Sequence, residues 1–266
     1  MKYLKKFSTE DSKTIWMLFG SNSKINPITY FVEENGIVYY REYVNMNPNG
    51  HEYVDLGLPS GTFWATCNFG AAAPTAYGDH YSWGELSPIN NNNDYSYFVD
   101  GEPWYSKYNS EDKKYRLEPA DDVVSQGWGG GWHIPTTDQL EELVDGDYTT
   151  LSVETIDNAS VVRVTSNTNG NSIILPLPGF KYRDESDLYT SDEGTGAGYM
   201  GMDLTKYLSN FYGSDSGGYD SFLGLSLYIG DSNVYPYPDE WFSRSYGYSI
   251  RPVLGDKKFQ RLHTVD

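Results

Sequence analysis

Hydrophobic and polar positions change their period several times along the chain, and the changes mark out segments. Residues 8–20, STEDSKTIWMLFG, place Ile15, Leu18 and Phe19 on one helical face. Ser8 and Asp11 have capping-box spacing and Gly20 can stop the turn, so a short helix is predicted here. Residues 28–44, ITYFVEENGIVYYREYV, read instead as two strand-forming runs flanking Asn35-Gly36, which predicts a hairpin. The turn-rich NMNPNG follows at 45–50. A boundary there separates an N-terminal attachment segment, 1–48, from a main domain, 49–256, and a tail, 257–266.

Beyond the boundary, YVDLGLPSGTFWATCNFG (53–70) has strand-like runs broken by Gly57, Pro59 and Gly61. Residues 87–116 are rich in Asn, Asp and Tyr and predict a long loop. A helix is expected over 118–127, with Pro119 in its first turn and Gly127 at its end. A better one is expected over 135–146, where Thr136 and Gln139 fit a capping box and Leu140, Leu143 and Val144 share a face. Residues 160–180 read as a hairpin turning at Asn169-Gly170, and 199–254 alternate short strands with loops of Gly, Ser and Asp. Few helices, many short strands and long loops predict an α+β fold.

Composition narrows the function. The chain has 266 residues and a formal net charge of -18, so phosphate backbones and anionic lipid surfaces are repelled. No nucleic-acid partner and no membrane insertion are expected. Aromatic residues make up 16% of the chain, which argues for a folded protein. One cysteine, Cys67, excludes an internal disulfide. Ser8 to Lys13 interrupts any apolar run at the start, so no signal peptide is read.

Catalytic signals are sparse. GWGGGW (127–132) lacks the Gly-Lys-Ser/Thr ending of a phosphate loop and the spacing of a dinucleotide loop. Its glycines fit a scaffold turn beneath Trp128 and Trp132. His51, His80, His133 and His263 form no i,i+4 pair, and no GxSxG elbow occurs. The 37 carboxylates leave a glycan-cleaving pair open but point to none in particular. The expectation is a non-enzymatic protein with no cofactor and no metal.

The more specific signal is a run of eight tyrosines between Tyr207 and Tyr248, about twice the chain average. Gly, Ser, Asp and Asn fill the gaps. Tyrosine offers wide amphipathic contact at low entropic cost, and the small polar residues adapt their hydrogen bonds. The same composition fits a solvated loop whose tyrosines pack inward. Tyr246 and Tyr248 belong to the scaffold on either reading.

Three stretches, VDLGLPSGTFWATCNFGA with YGDHYSWGE, then GWGGGWHIPTTDQLEEL, then SRSYGYSIRPV, together resemble the Fibrobacter succinogenes major paralogous domain of gut Bacteroidetes and their phages. The resemblance covers about residues 53–254. It implies a C-type lectin-like domain with short strands, two helices and long loops, preceded by a small helix-plus-hairpin appendage. It is similar too to retroelement variable proteins, whose contact positions precede the closing strand. That carries over Tyr228, Asp231, Asn233, Tyr235, Tyr237, Asp239, Trp241 and Ser243 as candidate ligand-binding residues. The calcium-binding sugar motifs, the paired cysteines and the histidine triad of related branches are absent. The resemblance implies a binding module on a phage virion, a fibre or decoration protein contacting host surface glycan or protein. The alternatives are a purely structural virion protein and a glycan-cleaving enzyme. Other virion or surface subunits would join through the N-terminal segment, as a homo-oligomer with a trimer favoured. The virion surface is the expected location, with the bacterial cell surface or cytoplasm as alternatives.

Overall fold

The computed structural model describes residues 3–8, 14–19, 27–34, 37–42, 48–90, 95, 105–109, 111–184, 187–204, 221–255 and 260–261, those up to 42 and residues 48, 184 and 260–261 as backbone. The chain divides into two units, Met1–His51 with Gly255–Asp266, and Glu52–Leu254.

The first unit is an antiparallel sheet of β1 (Tyr3–Ser8), β2 (Thr14–Phe19), β3 (Pro27–Glu34), β4 (Ile37–Glu42) and a strand from the far end of the chain, β17 (Gln260–Arg261), in that order. The helix predicted over 8–20 does not form. Its apolar positions lie in β2, which pairs with β1 on one side and β3 on the other. The six-residue run TIWMLF is too short for helical spacing to discriminate, and its β-branched and aromatic residues suit a paired strand. The hairpin predicted at 28–44 is present as β3 and β4, with Glu34 opposite Ile37; Asn35 and Gly36 lie outside the described residues. In the segment expected as a tail, Gln260 and Arg261 pair with Tyr40 and Tyr39.

The second unit opens with β5 (Tyr53–Asp55) and β6 (Phe63–Ala65). After the helix α1 (Val123–Gly127) comes β7 (Trp132–His133), then α2 (Thr137–Val144). β8 (Thr149–Ile156), β9 (Ala159–Ser166) and β10 (Ser172–Pro176) form a meander, and β11 (Phe180–Asp184) with β12 (Asp187–Ser191) a hairpin. β13 (Gly196–Tyr199), β14 (Ser221–Gly230) and β15 (Asn233–Ser243) form another three-stranded sheet. β16 (Val253–Leu254) then enters between β6 and β7, so the three stretches that carried the resemblance build one sheet, β5-β6-β16-β7.

The expected α+β, C-type lectin-like class is therefore corrected. The protein is mostly β, with several small antiparallel sheets, two helices and no closed barrel among the described residues. The helices are short because caps truncate them. The helix expected over 118–127 starts only at Val123: Asp122 accepts from the Val124 and Ser125 amides at 2.9 and 3.1 Å, and its other oxygen accepts from the Ile134 amide at 3.0 Å. The second helix has the expected capping box, Thr136 with Gln139, and ends at Asp145.

Leu140 and Leu143 of α2 enter one core with Trp64, Val162, Val164, Leu175, Leu225 and Leu227. Two buried arginines tie the loops to this body. Arg251 donates to Asn68 Oδ1 at 2.9 Å and to the carbonyls of Ala65, Thr66 and Ile174 at 2.9, 2.7 and 2.7 Å. Arg244 donates to Tyr95 Oη at 3.0 Å and to the carbonyls of Tyr108 and Lys107 at 3.0 and 3.1 Å, with its guanidinium over the Trp83 ring at 4.8 Å.

The GWGGGW turn behaves as scaffold, and a Cβ on its first glycine, Gly127, would stand 2.8 Å from the Phe69 ring. Gly129, Gly130 and Gly131 all have positive φ (59°, 63° and 92°), a conformation that side-chain-bearing residues avoid. A Cβ on Gly131 would meet Leu254 at an ordinary 3.5 Å. Trp132 is buried and Trp128 half-buried, with their rings edge to face at 5.1 Å.

Candidate binding surface

The candidate residues lie on the ribbon formed by β14 and β15. Asp231 and Ser232 turn it, with φ of 49° and 64°, the conformation of a tight hairpin turn with the right twist for its strands. Register then decides which side chains share a face. Tyr228 pairs with Tyr235, Ser226 with Tyr237 and Gly230 with Asn233. These positions alternate regularly, so Tyr228, Asn233, Tyr235 and Tyr237 lie on one face. The reverse face carries Leu227, Ile229 and Val234 into the core.

A bulge separates the rest. Between the pairs Gly224–Glu240 and Ser226–Tyr237, two residues of β15 oppose Leu225 alone, and Asp239 is one of them. Past the bulge, Trp241 pairs with Leu223 and Ser243 with Ser221, which puts both on the reverse face. The structure thus brings together four of the eight residues, sets Asp231 at the tip, and leaves Asp239, Trp241 and Ser243 apart. Tyr228, Tyr235, Tyr237 and Trp241 are 50%, 42%, 51% and 51% exposed, against a core in which large side chains are sealed.

Pro236 and Pro238 lie within β15, which is the edge strand of its sheet. Counting from the turn, hydrogen-bonded pairs alternate with non-bonded ones, so Pro236, opposite Leu227, faces its missing N–H away from β14. Pro236 leaves the pairing intact and removes a donor from the outer edge, while Pro238 lies in the bulge opposite Leu225 and has no donor to give.

Glycine makes the tyrosine face shallow. A Cβ on Gly230 would stand 3.2 Å from Tyr228 and 3.4 Å from Tyr235, so both rings lean beside the tip. Further down, the same face is closed. Tyr248 lies on Phe222 and Phe242 at ring separations of 5.2 and 4.4 Å, and a Cβ on Gly198 would fall 2.6 Å from its ring. The face is therefore covered at its base and open at its tip. Tyr246 is half-buried and stacks on Phe180 at 6.2 Å. Tyr207, Tyr212 and Tyr219 lie outside the described residues.

The surroundings are acidic. Asp192 sits beside Gly196, directly across from Tyr228, since a Cβ on that glycine would be 3.2 Å from the Asp192 Cβ. On the α2 side, burial raises the Glu141 carboxyl above its ordinary range, and the charges of Asp138 and Asp239 push it further. Residues 221–243 contain Asp231, Asp239 and Glu240 and neither lysine nor arginine.

Other sequence candidates do not assemble into a site. His80 is buried, with Nε2 3.3 Å from the Pro178 carbonyl, while His51, His133 and Cys67 are half-buried; His263 lies outside the described residues. Among the described residues no group of three or more His, Cys, Asp or Glu could hold a metal ion, and no helix is long and apolar enough to cross a membrane. No family model, no curated protein and no solved structure matches the chain.

Proposed function

We propose that the Glu52–Leu254 unit is a non-catalytic binding module that meets its partner with the tip half of the β14–β15 ribbon. The observation that carries this is the register: Tyr228, Tyr235 and Tyr237 share one face while the opposite face is anchored in the core. Three rings held on paired strands lose little freedom on contact, which favours affinity. Displayed on a phage particle, as the sequence resemblance implies, such a face would contact a host surface glycan or protein. The first unit would then attach the module to neighbouring subunits.

The test compares the intact protein with its Tyr235→Ala/Tyr237→Ala variant on a glycan array and on intact bacterial cells. The variant is expected to lose at least tenfold in binding, about 1.4 kcal/mol, while its melting temperature stays nearly unchanged. Equal binding by both proteins would return these tyrosines to a passive surface.

A further inference from the structure

We infer that the partner of the tyrosine face is a protein surface presenting arginine or lysine side chains; the inference rests on reading that face as a contact surface. Charge complementarity carries it. The rim of the face bears Asp192, beside the Gly196 that pairs with Tyr228, Asp231 at the tip, and Glu240 across from Gly224 on the same side of the ribbon. All three are exposed, and residues 221–243 contain no positive charge; Lys181 and Arg183 lie on β11, in the hairpin that leads to Asp192. The faces of aromatic rings are themselves electron-rich and attract cations. A guanidinium can lie on a tyrosine ring and donate to a neighbouring carboxylate at once, and its full positive charge strengthens both contacts. The chain uses the first half of that pairing internally, where Arg244 sits 3.9 Å from the centre of the Tyr105 ring.

Two competing occupants fit less well. A peptide adding as a strand to β15 would need donors along its outer edge, and Pro236 and Pro238 have none to give. A second copy would bring its own acidic tip against this one, between two chains that each carry a formal charge of -18. A basic surface meets neither obstacle.

The experiment uses the full chain and three probes: a panel of arginine- and lysine-bearing peptides, the same peptides with citrulline and acetyl-lysine replacing the basic residues, and an array of neutral glycans. Basic peptides are expected to bind at least about tenfold tighter than their neutral counterparts, with affinity falling as salt rises. Tyr235→Ala/Tyr237→Ala should lose about tenfold on the basic panel, and Tyr→Phe at both positions should retain binding. Asp231→Asn/Glu240→Gln should lower affinity and flatten its salt dependence. Basic peptides that bind both the parent and the Tyr→Ala variant equally would reveal general attraction to an acidic protein and overturn the inference. Neutral glycans that bind and lose binding with Tyr→Ala would overturn it too, leaving the contact surface in place. Should Tyr→Ala change binding to none of the probes, the contact surface itself would fall.

Discussion

Tyr228 lies directly opposite Tyr235 across the β14–β15 ribbon, and each keeps close to half of its surface exposed (50% and 42%). A cross-strand aromatic pair contributes roughly 0.2–1 kcal/mol to a hairpin, far less than a buried ring. The double-mutant cycle of Tyr228→Ala and Tyr235→Ala should therefore give a coupling energy in that range by urea denaturation. A coupling of several kcal/mol would mean that the pair is structural.

Trp132 and Trp128 should separate by burial. Trp132→Ala is expected to cost about 3–5 kcal/mol, because a sealed indole leaves a cavity. Trp128→Ala should cost much less, since that ring is only half-buried. Thermal melts of the two variants test the order, and a Trp132→Ala protein that keeps its melting temperature would remove the turn from the scaffold.

Arg251→Lys should cost about 3 kcal/mol or more despite keeping the charge. The ammonium cannot reach Asn68, Ala65, Thr66 and Ile174 together, and buried carbonyls without donors are expensive. A denaturation midpoint equal to that of the parent would contradict the clamp.

Acid should weaken the fold through His80. Burial, with the Lys181 charge behind it, holds its imidazole down to about 4. The folded chain thus keeps His80 neutral where the unfolded chain takes up a proton, near 6.5. Its contribution is complete above about pH 6.5 and is lost as pH falls towards 4, by up to about 3 kcal/mol. Urea midpoints from pH 7 to pH 4 should fall less steeply for His80→Gln, and equal slopes would discount the histidine.

What could be read from sequence followed the range of the interactions involved. The Thr136–Gln139 capping box and the 160–180 hairpin are local, and both formed where their spacing put them. The 8–20 segment misled because Ile15, Leu18 and Phe19 fit either period in so short a run, and pairing with β1 and β3 decides it. The exposed tyrosines were visible as composition, but their shared face was not. It depends on the register of β14 with β15, and the bulge beside Asp239 inverts the facing of Trp241 in a way no alternation count reveals. The roles of Arg244 and Arg251 were hidden for the same reason, since their acceptors lie mostly more than a hundred residues away along the chain.

The return of β17 to the edge of β4 has a consequence for biosynthesis. Tyr39 and Tyr40 leave the ribosome more than two hundred residues before Gln260 and Arg261, their partners in the sheet. The whole Glu52–Leu254 unit is made in that interval and can fold as a unit first. Until Gln260 and Arg261 emerge from the ribosome, β4 carries an open edge, the kind of surface that recruits stray strands and chaperones. A nascent chain arrested with those residues still in the exit tunnel should therefore be held by chaperones more strongly than the released chain.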